Sequence, residues 1–97
     1  MSLVMLNEKD PKTLKSLYAY RRVVFKDGAL STKDKELIAL ALSCTLKCEK
    51  CLTHHAEEAK KHGATEDEIL EAMEVAMYMT GPSAMIWTEE IDKLVNP

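Results

Sequence analysis

The chain lacks several of the features that most often reveal a function at sight. No apolar run approaches the ~20 residues that a helix needs to cross a bilayer, and the opening MSLVMLNEKD turns acidic too early for a secretory signal. The expectation is a cytoplasmic protein with no membrane partner. Basic residues are not concentrated either: 13 Lys and Arg are interleaved with 16 Asp and Glu, for a net charge of −3. That leaves no stripe on which a phosphate backbone could lie, so nucleic acid is not expected as a partner. Three cysteines are an odd number, and without an export signal they argue against a structural disulfide framework. No strand pattern, low-complexity segment or internal repeat is visible.

What is present is helical periodicity in a chain of 97 residues, 46% apolar and 30% charged. This length predicts one domain over residues 1–97 with a modest core. In DPKTLKSLYAYRRVVFKDG, Asp10 is placed to cap, Pro11 suits a first helical position, and Leu14, Leu17, Tyr18, Val24 and Phe25 recur on a helical rhythm before Gly28. STKDKELIALALSCTL opens on Ser31 and is apolar on all sides from Leu37 to Leu42, which predicts a central helix buried all round. CEKCLTHHAEEAKKHG ends at Gly63, a left-handed stop preceded by Lys60, Lys61 and His62. TEDEILEAMEVAMYMTG starts with a capping box, Thr65 with Glu68, and PSAMIWTEEIDKLVN supplies a last helix. The fold class is all-α, with about five helices.

Met73, Met77, Met79, Met85, Ile86 and Trp87 crowd together near the C-terminus. Flexible methionine fills gaps in ordinary helix–helix core, but a domain this small has difficulty hiding so much apolar surface alone. Part of the stripe is expected to be a subunit interface.

Chemistry is concentrated in LKCEKCLTHHAE, residues 46–57. On a helix, Cys48, Cys51 and His55 share one face, with His54 at its edge. With Cys44 added, the set is nominally Cys3His, which zinc uses. One continuous helix would leave Cys44 and His55 roughly 16 Å apart along its axis, so only a break near Leu46 could gather the four, and no second ligand pair exists. No metal is therefore expected.

A dithiol needs less. At a helix start, unpaired N–H groups stabilise a thiolate, Lys47 and Lys50 add positive charge, and the second sulfur is one turn away. His55, four residues beyond Cys51, is a plausible base. Packing alone is the third alternative, since cysteines make good small core residues; for Cys44, which has no spaced partner, core is the expectation. Glu36 has nothing distinctive in itself, and pairing with Lys33 or Lys35 would account for it, but it stands where the fully apolar run begins.

Taken together, Glu36, Cys48, Cys51 and His55 form E-x11-C-x2-C-x3-H. This arrangement, with the lead-in LSTKDKELIALALS, resembles the alkylhydroperoxidase-D-like branch of the carboxymuconolactone decarboxylase family, over roughly residues 15–95. The resemblance implies a small all-helical subunit in a homo-oligomer, typically a hexamer. It also implies a thiol-dependent peroxidase or disulfide oxidoreductase of antioxidant type. Cys51 would attack, Cys48 would resolve, and Glu36 with His55 would relay protons. The partners would be a hydroperoxide or disulfide substrate and an external dithiol reductant, a protein or a lipoyl group, with no bound cofactor. Peroxidase members of that branch carry a histidine directly before the second cysteine, where this chain has Lys50. A lysine can lower a thiol pKa but does not shuttle protons near neutrality without a large shift of its own. The contrasting readings are a lactone decarboxylase, whose branch generally lacks the cysteine pair, and a non-catalytic helical zinc-binding or interaction module.

Overall fold

The computed structural model describes residues 2–81, and among them every regular element is an α-helix. These are α1 (Ser2–Lys9), α2 (Pro11–Val24), α3 (Thr32–Leu46), α4 (Glu49–Lys61) and α5 (Glu66–Thr80). The all-α expectation holds. The set of helices differs from the one expected, however: α1 was not anticipated, and the C-terminal helix with Met85, Ile86 and Trp87 lies outside the described residues. The chain divides into two compact units, residues 1–32 and 33–97.

In the first unit α1 and α2 pack on one another, and Asp10 serves both. Its backbone N–H donates to Leu6 O at 2.8 Å, closing α1. Its carboxylate accepts from the Thr13 N–H at 3.3 Å and from the Thr13 hydroxyl at 2.6 Å, opening α2 with Pro11 at its start. These bonds hold the Asp10 carboxyl below its ordinary pKa. The expected stop at Gly28 is corrected: α2 ends at Val24. The following turn captures the chain first, with the Thr32 hydroxyl on Phe25 O at 2.6 Å and the Thr32 N–H on Asp27 Oδ1 at 2.8 Å.

The second unit holds α3, α4 and α5. Between α3 and α4 the chain turns on Lys47, the only non-glycine residue with positive φ (56°) among those described. The Lys47 N–H donates to Cys44 O at 3.3 Å and the Cys48 N–H to Ser43 O at 3.1 Å. This is the bonding of a left-handed helix stop, at a position where glycine is the usual occupant. Gly63, at φ 92°, ends α4 as expected, and the Thr65–Glu68 capping box opens α5. Lys33 Nζ reaches Glu68 Oε2 at 2.8 Å, tying the start of α3 to that of α5.

Each of the three helices contributes one buried apolar residue: Leu40, Ala59 and Ala76. On α3 the buried residues are Glu36, Leu40 and Ser43, spaced four and three apart and hence one stripe. The expectation that α3 is buried all round is corrected, since Ile38 is 49% and Leu42 54% exposed. Packing against neighbours on one side leaves the remaining circumference open, whatever its hydropathy. The methionines of α5 behave alike: Met73, Met77 and Met79 are exposed rather than in the core of the single chain.

Candidate functional site

The buried stripe of α3 carries Glu36 into the second unit, where it meets α4. Glu36 is 2% exposed, and its Oε2 lies 2.6 Å from His55 Nδ1. An ionised carboxylate can only accept, so against it Nδ1 donates, and in the neutral ring Nε2 then carries the lone pair. The bond joins α3 to α4 and sets the rotation of the imidazole. Of the two simpler partners expected for Glu36, Lys33 and Lys35, the first is engaged by Glu68. That pairing raises the Lys33 pKa and lowers that of Glu68.

Cys48 is the N-cap of α4, with extended backbone (φ −98°, ψ 99°). Its Sγ accepts the Cys51 backbone N–H at 3.3 Å, as a serine oxygen would in the same position. Cys48 and Cys51 are joined as a disulfide with Cα atoms 5.3 Å apart. Cys51 is exposed and Cys48 half-buried. The first sulfur thus sits among the unpaired N–H groups of the helix start, where negative charge is favoured.

The four sequence-predicted residues fall into two contacts, Glu36 with His55 and Cys48 with Cys51, and both involve the first two turns of α4. Cys44 is free and half-buried, outside the pair. The chain does break after Leu46, the one condition that could have gathered a Cys3His set, yet among the described residues no three His, Cys, Asp or Glu side chains are arranged to hold a metal ion. Lys50 lines an open depression of about 390 Å³ together with Glu49, Thr53, His54 and Glu57.

Two residues near the site carry more than the sequence reading assigned them. Ser43, buried, donates its hydroxyl to Ala39 O at 2.7 Å, and its carbonyl holds the Cys48 N–H. The signal was a polar residue at the end of an apolar run. His54 sets its ring edge-on to that of His55, with centroids 5.0 Å apart and planes at 73°; the signal was the histidine doublet itself.

The family model for carboxymuconolactone decarboxylases matches residues 11–90. The chain belongs to the carboxymuconolactone decarboxylase family. Among solved members, the apo form of a carboxymuconolactone decarboxylase family protein from Legionella pneumophila superposes with a TM-score of 0.77 at 32% identity, covering 89% of this chain and 77% of that one. A family member from Thermotoga maritima, given a possible role in the antioxidative response, superposes with a TM-score of 0.66 at 28% identity, covering 84% and 92%. Uncharacterized protein 4 in the cox locus of Paracoccus denitrificans is 41% identical over 66 residues, 68% of this chain. The chain spans 60% of the length of that relative.

Proposed function

We propose that this member of the carboxymuconolactone decarboxylase family is a thiol-dependent peroxidase or disulfide oxidoreductase. The observation that supports it is the disulfide-forming pair Cys48–Cys51 on the same two turns as a histidine fixed by a buried carboxylate. A lyase working by acid and base alone has no use for a second thiol one turn from the first.

In the reduced enzyme, His55 takes the Cys51 proton on Nε2, and Glu36 stabilises the charge that forms on the ring. The Cys51 thiolate attacks the distal oxygen of a hydroperoxide. The O–O bond breaks, Cys51 becomes a sulfenic acid, and RO⁻ departs to be protonated to ROH. The Cys48 thiol then attacks the Cys51 sulfur, the disulfide forms, and the hydroxyl leaves as water with the Cys48 proton. An external dithiol, on a protein or a lipoyl group, restores both thiols by two exchanges and becomes a disulfide itself. No resident cofactor or metal takes part.

The acting unit is a homo-oligomer, a hexamer in the simplest case. Supporting this, α3 and α5 leave Ile38, Leu42, Val75, Met77 and Met79 exposed, more apolar side chain than a lone small subunit ordinarily carries. The working location is the cytoplasm, where a reducing pool can recycle the pair; no helix among the described residues is long and apolar enough to cross a membrane.

The test is a thiol count on reduced, chelator-free protein before and after one equivalent of an organic hydroperoxide, with a zinc assay on the same sample. The expected result is loss of two of the three thiols and negligible zinc. Three thiols surviving, or stoichiometric zinc, would overturn the proposal.

A further inference from the structure

The reaction above balances but does not say which group delivers the proton to the departing oxygen. When the Cys51 thiolate splits the O–O bond, the departing oxygen carries a negative charge and must be protonated as it leaves. A poor leaving group such as an alkoxide gains most from a donor already in place. The branch pattern would put a histidine directly before the second cysteine, and here that position is Lys50.

His54 and His55 follow Cys51 by three and four residues. At ~100° per residue, they stand roughly 60° to one side of Cys51 and 40° to the other. The two sides differ. His55 faces inward, bonded to the buried Glu36. His54 lines the open depression, and the other described residues that line it, Glu49, Lys50, Thr53 and Glu57, belong to α4. The edge-on contact with His55 restrains the His54 ring from its inner side.

Direction of attack decides which histidine meets the leaving group. Displacement at oxygen is in line, so the oxygen that departs lies on the far side of the attacked one from the sulfur. Cys51 is exposed, so a peroxide reaching it from solvent carries its leaving oxygen outward, away from Glu36 and His55. We infer that His54 is the proton donor to the leaving oxygen, so that the doublet divides the work: His55 removes the thiol proton on the inner side and His54 supplies the alcohol proton on the outer side. This rests on the peroxidase reading above. The balance closes, because His54 gives a proton to RO⁻ and takes one back from solvent, into which His55 releases the Cys51 proton, so that in net the thiol proton becomes the alcohol proton. Of the charged and titratable groups, Glu49, Lys50 and Glu57 share the depression with His54, His55 lies against it on the inner side, and Cys51 is exposed one turn before it.

The experiment follows single-turnover oxidation of the reduced full chain by two probes, tert-butyl hydroperoxide, which expels an alkoxide, and peracetic acid, which expels acetate and needs no proton. In His54→Gln, oxidation by tert-butyl hydroperoxide should slow on the order of 10²-fold, while oxidation by peracetic acid should change less than ~3-fold. In His54→Ala, added imidazole should recover the alkyl hydroperoxide rate and leave the peracid rate alone. A structural role would slow both probes alike, and that result, or slowing of neither, overturns the inference while leaving the dithiol reading standing. Wild-type protein oxidised by neither probe would sink the peroxidase reading itself, and this inference with it. Circular dichroism on both variants separates a lost donor from a lost fold, and imidazole recovery can only come from a folded site.

Discussion

Glu36 Oε2 on α3 and His55 Nδ1 on α4 stand 2.6 Å apart, the carboxylate buried and the imidazole half-buried. With the carboxylate ionised, the contact favours the neutral tautomer whose Nε2 carries the lone pair. Glu36→Gln keeps the shape and can keep one hydrogen bond, but a neutral amide stabilises the imidazolium less and can rotate to reverse the tautomer. Thiol oxidation should slow on the order of 10²-fold, with stability to urea changed by no more than ~1 kcal/mol. Stopped-flow oxidation and urea denaturation read the two effects; an undiminished rate would remove Glu36 from the relay.

The two cysteines should not be equivalent. Cys51 is exposed and one turn from His55, while Cys48 is half-buried as the helix cap. A general base contributes about 10² to 10⁴ in rate, whereas a helix dipole at an exposed site is worth only ~0.3–1 kcal/mol, under tenfold. Cys51→Ser should therefore abolish peroxide consumption. Cys48→Ser should react once and leave a sulfenic acid on Cys51 that a dimedone-type probe traps. Labelling of Cys48 in the Cys51→Ser protein at full rate would reverse the roles.

At Lys47, φ is 56°, a conformation that costs an L-residue roughly 1–2 kcal/mol and glycine almost nothing. Glycine gives back part of that gain as lost chain entropy, roughly 0.5–1 kcal/mol. Lys47→Gly should raise stability by a few tenths to about 1 kcal/mol, seen as a higher urea midpoint with unchanged slope. Lys47→Val, β-branched, should lower it.

The Lys33–Glu68 pair predicts a particular pH response. Bonds from Lys33 and from the Thr65 backbone hold the Glu68 pKa below its ordinary value. Its contribution to stability is therefore fully present above the unfolded-state pKa and is lost as pH falls through the lower folded value. Lys33, raised by Glu68, contributes below its unfolded value and loses that as pH rises through the raised one. Glu68→Gln should lower the melting temperature at neutral pH, and the gap from wild type should close in strong acid. Because the pair is exposed, the gap should be small and should shrink with salt.

Self-association has its own test. Met77 is 66% exposed on α5, and a charge placed there would be buried by a second subunit but would cost a monomer little. Light scattering should give the wild type a mass of several subunits and Met77→Lys a smaller one, with helical content retained. A wild-type mass of one subunit at micromolar concentration would exclude the hexamer.

How far the sequence could be read depended on whether a signal was local. Asp10 with Pro11, the Thr65–Glu68 box and Gly63 are each decided within a few residues of chain, and the structure has all three. Helix α1 carried no cap signal of its own, since its last turn is closed by Asp10, which also caps the next helix. The stop of α2 was misplaced because Thr32, seven residues beyond Phe25, holds the turn. Burial was least legible: periodicity cannot say how much of an apolar helix is covered within its own chain, and Ile38 and Leu42 stay about half exposed. Within the site, the cysteine spacing was visible in helical geometry alone. The Glu36–His55 contact depends on how α3 meets α4, which spacing did not show.

The left-handed turn at Lys47 makes the distance between Glu36 and the cysteines a matter of phase. A helix advances about 100° and 1.5 Å per residue, so the length of α3 beyond Glu36 sets where its carboxylate points when α4 begins. One residue added between Glu36 and Lys47 would turn the carboxylate away from His55 by about a quarter of a revolution. Four would nearly restore the bearing but displace it by about 6 Å along the axis, twice the reach of a hydrogen bond. The eleven residues between Glu36 and Cys48 thus work as a fixed gear ratio between two helices, in which length cannot be exchanged for composition.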